Sequence, residues 1–201
     1  MAEEVPPDSR VGPGGPGPSS WADREETTQR QLHVARAQGD AYGHAFEQLR
    51  AAEATDSGEE YCGDYWIGYA VGPALGVYEW TTAELEWREP GEENLHVAIT
   101  VRDAGDGRFV PGLRVLVTLI DPSGNVVGSR EQPLLWHPMI YHYGGNWKVD
   151  ANGVHSLRVQ VDPPKFMRTD LVNGDRLLAP VQIDFDEVRV DVGTGGHRRS
   201  R

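Results

Sequence analysis

The chain has 201 residues, which is enough for one domain with a hydrophobic core, or for one domain and a tail. Its 19 Lys and Arg against 31 Asp and Glu give a formal net charge of -12. This charge argues against nucleic acid and anionic membranes as partners, because both need a basic surface.

The N-terminal region is predicted to be a disordered tail over residues 1–19. These residues contain five prolines among glycines and charged groups, so they bury too little apolar surface to offset the entropy of ordering. Residues 1–6 are acidic and lack an apolar run, so no secretory signal is visible and the chain is expected to be cytoplasmic. No stretch approaches the roughly 18–20 apolar residues of a membrane span, so direct membrane insertion is not expected.

Residues 20–56 are predicted to form one amphipathic helix. Its apolar stripe recurs at helical spacing and includes a glycine: Leu32, Ala35, Gly39, Tyr42, Phe46 and Leu49. The stripe is narrow, and Gly39 and Gly43 each weaken the helix by roughly 1 kcal/mol relative to Ala. The helix should therefore need a partner surface, either the rest of the domain or a second subunit.

Residues 62–193 are predicted to form a β-sandwich of about seven or eight strands. Apolar residues alternate with other types over 95–101, which is typical of a half-buried strand. Residues 113–120 are apolar on both faces, as in a central strand, and the Asp-Pro-Ser-Gly-Asn sequence at 121–125 predicts a turn. Short strands without intervening helices favour a sandwich. Residues 194–201 are expected to be a second disordered tail.

Residues 136–146 are the segment most suggestive of a functional site. They hold two histidines, one methionine and three aromatic residues between two predicted strands. Imidazole and thioether groups are ligands that copper or iron sites use. Gly144, Gly145 and Asn146 favour a sharp turn beside them. The single cysteine, Cys62, excludes an internal disulfide framework and a thiolate-rich zinc site.

The candidate ligands have alternative roles. His142, placed where the strand pattern gives way to a turn, is either a metal ligand or a loop histidine bonded to the backbone. His96 lies on the strand face opposite the apolar row, which is either solvent or the interior of a site. His137 precedes Pro138 and is either a support for a ligand or a structural residue. Met139 is either a core filler or a ligand.

Motifs for catalysis are missing from the sequence. It has no G-x-S-x-G elbow, no phosphate-binding glycine loop and no H-E-x-x-H. Its many acidic residues show no spacing typical of an acid/base pair. The sequence therefore predicts a protein that is not an enzyme.

Over residues 64–192 the chain resembles the bacterial iron-transport accessory proteins, a family of periplasmic β-sandwiches that bind copper and iron. The most specific segment is 133–164, where Pro-Met is followed by His-Tyr-Gly-x-Asn, a glycine, a strand and Pro-Pro. These are Pro138-Met139, residues 142–146, Gly153, residues 157–161 and Pro163-Pro164. Weaker matches are Leu95-His96-Val97 with the Asp106-Gly107 turn, and Ile67-Gly68.

The resemblance implies an immunoglobulin-like sandwich, often a homodimer, that presents metal near the dimer interface beside an iron permease. Its ligand histidines carry over to His96 and His142. The chain departs from the family pattern at residues 72–77, where the family tends to place acidic residues and a methionine. It also places Tyr65 near the position of a further histidine in some members, lacks the signal peptide, and adds the N-terminal helix.

Two hypotheses follow. In the first, a non-enzymatic protein of iron uptake or metal handling binds iron or copper through His96 and His142, with Met139, His137 or Tyr65 completing the site. In the second, the same sandwich has lost the full ligand set and serves, without metal, as an interaction or dimerisation module. Its contact residues would be the aromatic side chains between positions 65 and 87. Ring nitrogens within about 4–5 Å of each other would favour the first hypothesis.

Overall fold

The computed structural model describes residues 18–169 and 174–192. The expected tails therefore lie outside the described residues, apart from positions 18 and 19, which belong to a helix. No described helix is long and apolar enough to cross a membrane.

One helix precedes the strands. Helix α1 runs over Pro18–Glu53, two residues earlier at its start than expected. A proline is tolerated there because the first helical turn has no hydrogen-bond acceptor for its missing N–H. The chain divides into two compact units, one ending at Val34 and the other beginning at Ala35.

The second unit contains a five-stranded antiparallel sheet in the order β1-β2-β5-β9-β8. Its first strand begins at position 56, ahead of the expected start at 62. The strands are β1 (Asp56–Cys62), β2 (Tyr65–Pro73), β5 (Leu95–Asp103), β8 (Leu134–Trp136) and β9 (Tyr141–Trp147).

A four-stranded sheet in the order β11-β10-β6-β7 forms the other layer. Its strands are β6 (Val115–Ile120), β7 (Val126–Glu131), β10 (Gly153–Val161) and β11 (Val181–Val190), while β3 (Val77–Trp80) and β4 (Leu85–Arg88) form a separate hairpin. The expected turn joins β6 to β7, with Gly124 at a φ of +83°. The predicted all-β sandwich with one N-terminal helix is confirmed. Its strands outnumber the expectation because short strands such as β8 carry too little pattern to be recognised.

Strand β5 separates the two apolar layers of the second unit. Its odd positions, from Leu95 to Val101, are fully buried in the core between the sheets. The even positions point to the other face, where Ala98 packs with Phe46 and Leu49 of the helix and with Ala70 and Ile140. The part of α1 from Ala35 onward therefore covers this side of the sheet.

The helical stripe predicted from the sequence is buried only in part. Ala35, Gly39, Phe46 and Leu49 are buried, while Leu32 is 40% exposed. Gly39 is needed because a Cβ there would lie 2.0 Å from the carbonyl oxygen of Asp106. Gly39, which would lower the stability of the isolated helix, thus permits the helix to pack closely on the loop between β5 and β6.

Candidate metal centre

His96 lies on the side of β5 that faces the helix. Its directly paired neighbours are Gly72 of β2 and Asn146 of β9. The imidazole is 5% exposed. The face opposite the apolar row is therefore buried at His96 and is not exposed to solvent.

Asn146 fixes the orientation of the His96 ring. Its amide oxygen accepts from the backbone N–H of Leu75 at 3.0 Å, and its amide nitrogen donates to the carbonyl of Leu75 at 2.7 Å. The same amide oxygen lies 2.9 Å from Nδ1 of His96. Because an amide oxygen can only accept, the proton of neutral His96 is on Nδ1, and Nε2 carries a lone pair.

His142 brings a second ring nitrogen to that lone pair. Nε2 of His142 lies 3.3 Å from Nε2 of His96, within the distance criterion set by the sequence hypothesis. The ring reaches this position over Gly144, where a Cβ would lie 2.9 Å from Cδ2 of His142 and 2.9 Å from the carbonyl oxygen of Val97.

The glycines and Asn146 do not form the expected turn. Residues 144–146 continue strand β9, and none of them has a positive φ. At position 144 a side chain would collide with the ring of His142, and at position 146 the asparagine amide makes hydrogen bonds. Neither residue is required here for a turn. The turn prediction was wrong because glycine and asparagine have the same sequence signal in either role.

Both imidazoles are held neutral. Burial lowers the pKa of His142 to about 3, with further lowering from His96 and His137. Burial also lowers the pKa of His96, although the hydrogen bond with Asn146 opposes this shift. Neutral imidazole is the form that binds metal, so protons compete weakly for the pair.

The pair lines a cavity of about 410 Å³. Most of the lining is apolar, including Leu49 and Ala98, and Glu53 is the one carboxylate among the described lining residues. His137 also lines the cavity, with its ring centroid 6.2 Å from that of His142. The sequence hypothesis did not include Glu53, because nothing in the sequence indicated that the end of the helix meets this edge of the sheet.

The other candidates lie in different surroundings. The backbone N–H of Met139 donates to Nδ1 of His137 at 3.3 Å, and the Met139 side chain is 37% exposed and does not line the cavity. Tyr65 belongs to the core between the sheets, and its hydroxyl donates to the carbonyl of Leu177 at 3.3 Å. It pairs with Asp103, at the opposite end of β5 from His96. The structure therefore removes Tyr65 from the site, because sequence similarity gave its strand but not its position along it.

A metal ion fits between the two histidines. Two nitrogens bound at about 2.0–2.1 Å in a tetrahedral arrangement are roughly 3.3 Å apart, which matches the observed separation. Nδ1 of His142 is buried and has no hydrogen-bond partner, so a metal on Nε2 would leave the ring proton on Nδ1 and would replace the hydrogen bond between the two Nε2 atoms. As the side chains stand, the described residues contain no group of three His, Cys, Asp or Glu able to hold a metal together.

Comparison with known proteins gives similarity at the level of fold. No protein-family model and no curated protein matches the sequence. The structure is similar to FetP of uropathogenic Escherichia coli strain F11, as isolated after expression in the E. coli periplasm. The TM-score is 0.55 at 13% identity, over 68% of this chain and 99% of that one.

Two copper-containing structures show the same similarity. A copper-bound variant of FetP aligns with a TM-score of 0.54 at 15% identity, over 67% of this chain and 98% of that one. Copper-reconstituted P19 from Campylobacter jejuni aligns with a TM-score of 0.55 at 14% identity, over 69% of this chain and 93% of that one. The chain therefore shares the β-sandwich fold of proteins that have been crystallised with copper.

Proposed function

We propose that this protein binds one iron or copper ion through His96 and His142 and acts, without catalysis, in metal uptake or handling. The observation that carries the proposal is the 3.3 Å separation of two buried ring nitrogens, Nε2 of His96 and Nε2 of His142. The hydrogen bond with Asn146 keeps the proton of His96 on Nδ1 and leaves the lone pair on Nε2. The fold shared with copper-containing proteins supports it, as does the resemblance of residues 133–164 to the iron-transport accessory family. We place the chain in that family as a divergent member.

The test is calorimetric titration of the metal-free protein with Cu(II) and, under anaerobic conditions, with Fe(II). His96→Ala and His142→Ala should each abolish saturable binding. His44→Ala is the matched control, because His44 is exposed on the helix and does not line the cavity. Failure of the wild type to bind at tens of micromolar metal, or unchanged binding in both site variants, would contradict the proposal.

The wider setting follows from the family resemblance. We propose a homodimer that delivers metal to a permease or another uptake component. Analytical ultracentrifugation with and without metal tests the dimer, and a monomer in both states would refute it.

The alternative function is an interaction module that binds no metal. It is favoured by the β3–β4 hairpin, on which Tyr78 is 63%, Trp80 78% and Trp87 51% exposed. Aromatic residues are enriched in protein interfaces. Under this alternative the wild type gives no saturable metal titration, and Trp80→Ser disrupts self-association. Saturable metal binding in the wild type, or self-association that survives Trp80→Ser, would count against it.

A further inference from the structure

Glu53 is the last residue of helix α1, and its side chain is 41% exposed. It lines the cavity beside His96 and His142, where it supplies the one negative side chain of the described lining. A divalent cation between two neutral imidazoles would keep its full charge, so a carboxylate at this place is electrostatically suited to bind it.

The end of the helix is held firmly beside His96. The N–H and the hydroxyl of Thr55 both donate to the carbonyl of Val71, at 2.8 and 3.0 Å. The next residue of β2, Gly72, lies directly opposite His96, and a Cβ there would be 2.7 Å from the carbonyl oxygen of Glu53. The absent side chain at Gly72 thus lets the helix end approach the strand position that pairs with the ligand.

The side chain of Glu53 contacts His137. One carboxylate oxygen lies 3.4 Å from Nε2 of His137. Because Nδ1 of His137 accepts the N–H of Met139, the neutral ring carries its proton on Nε2, facing Glu53. A partly exposed contact of this kind is weak and is readily exchanged for a stronger one.

We propose that Glu53 leaves His137 when metal binds and becomes the third protein ligand beside His96 and His142. This inference rests on the proposed function. It makes the helix part of the metal site and supplies an acid where residues 72–77 have none. The carbonyls at the C-terminal end of α1 add negative potential in the same place.

The donor set has a consequence for metal choice. Two imidazoles and one carboxylate are typical of Fe(II) sites and also suit Cu(II), whereas Cu(I) prefers sulfur and gains little from a carboxylate. Met139, the nearest methionine in sequence, does not line the cavity. We therefore expect a preference for divalent ions.

The experiment compares Glu53→Gln with Glu47→Gln. Glu47 lies on the same helix six residues earlier and is absent from the lining, so its variant removes an equal charge. Dissociation constants are measured for Fe(II) anaerobically, for Cu(II), and for Cu(I) against a competing chelator. Glu53→Gln should weaken Fe(II) and Cu(II) binding by at least about tenfold and leave Cu(I) binding within about twofold, while Glu47→Gln changes none of the three.

One further measurement, made on two variants, completes the test. Paramagnetic resonance of the Cu(II) form should change in Glu53→Gln and in Glu53→Ala, the second variant excluding ligation by the glutamine amide. Equal divalent affinities in Glu53→Gln and Glu47→Gln, with binding still lost in the histidine variants, would overturn the role of Glu53 and leave the proposed function intact. Equal weakening of all three ions would also overturn it, whereas no binding in the wild type would reject both.

Discussion

The two ends of the helix-facing side of β5 treat buried polar groups in opposite ways. At one end Arg102 is 2% exposed, its guanidinium pairs with Glu59, and its Cζ lies 3.7 Å from the ring of Trp66. At the other end His96 and His142 are equally buried but neutral, with a cavity beside them. Removing one member of a buried ion pair destabilises the fold because the other charge loses its partner, whereas neutral imidazoles beside a cavity are available to a ligand. The Arg102 end should therefore govern stability, and the histidine end should govern metal affinity.

The largest expected effect is on stability at the Arg102 end. Arg102→Leu removes the guanidinium from the ring of Trp66 and leaves Glu59 with Arg50, 3.6 Å away, as its ion-pair partner, so it should lower the free energy of unfolding by up to about 3–5 kcal/mol. Urea denaturation monitored by circular dichroism measures it. Metal affinity, measured where the variant is folded, should stay as in the wild type. Weaker metal binding in the folded variant would show that the two ends are coupled.

The next largest effect concerns the histidine end of β5 and is a dependence of stability on pH. In the unfolded chain His142 titrates near 6.5, and in the folded protein its pKa is about 3. Between these values the unfolded state binds more protons, so the stability of the metal-free protein falls as the pH is lowered from 6.5 toward 3. The loss attributable to His142 is on the order of 5 kcal/mol down to pH 3, of which about 2 kcal/mol falls between pH 7 and pH 5.

Urea midpoints at pH 7 and pH 5 in the wild type and in His142→Gln isolate this contribution, because the carboxylates titrate in both proteins. The variant should lose less stability on acidification than the wild type. Equal losses in the two proteins would show that His142 is not buried and neutral.

Gly144→Ala should act chiefly on metal binding. The added methyl group collides with the His142 ring and with the carbonyl of Val97, so the ring must leave its position beside His96. We expect about a hundredfold loss of Cu(II) affinity and about 1–3 kcal/mol of destabilisation. Gly145→Ala is the control, because its Cβ would face the side chains of Gln132 and Arg130. Equal metal affinities in the two variants would contradict the arrangement.

The sequence was sufficient for the sandwich, and it singled out two histidines that the structure places 3.3 Å apart. Alternation over 95–101 placed His96 on the face away from the core, and local similarity singled out His142. These features are local, since they depend on residues adjacent in one strand. The pairing of the rings became visible only when the register of β5 with β9 was known.

The errors concern contacts between distant segments. Tyr65 was assigned to the site although it begins β2 and pairs with the end of β5 farthest from His96, and Glu53 was overlooked although it lines the cavity. Both depend on where a strand or helix ends relative to another element, which hydrophobic period does not encode. Gly39 and Gly72 show the same principle, since each permits a close approach that only the tertiary structure reveals.

The smallest effect we predict is that of Asn146, whose amide oxygen holds the proton of His96 on Nδ1. Asn146→Leu removes that acceptor, so the ring can protonate Nε2 and turn away from His142. Cu(II) affinity should fall about 10–100-fold, the usual result of removing the group that orients a metal-bound histidine. Asn146→Asp keeps an acceptor for His96 and should retain more affinity, although it loses the donor to the carbonyl of Leu75. Titration of both variants measures this order. If the leucine variant binds as well as the aspartate variant, then His96 is oriented by the packing of β2 and β9, and the hydrogen bond to Asn146 is secondary.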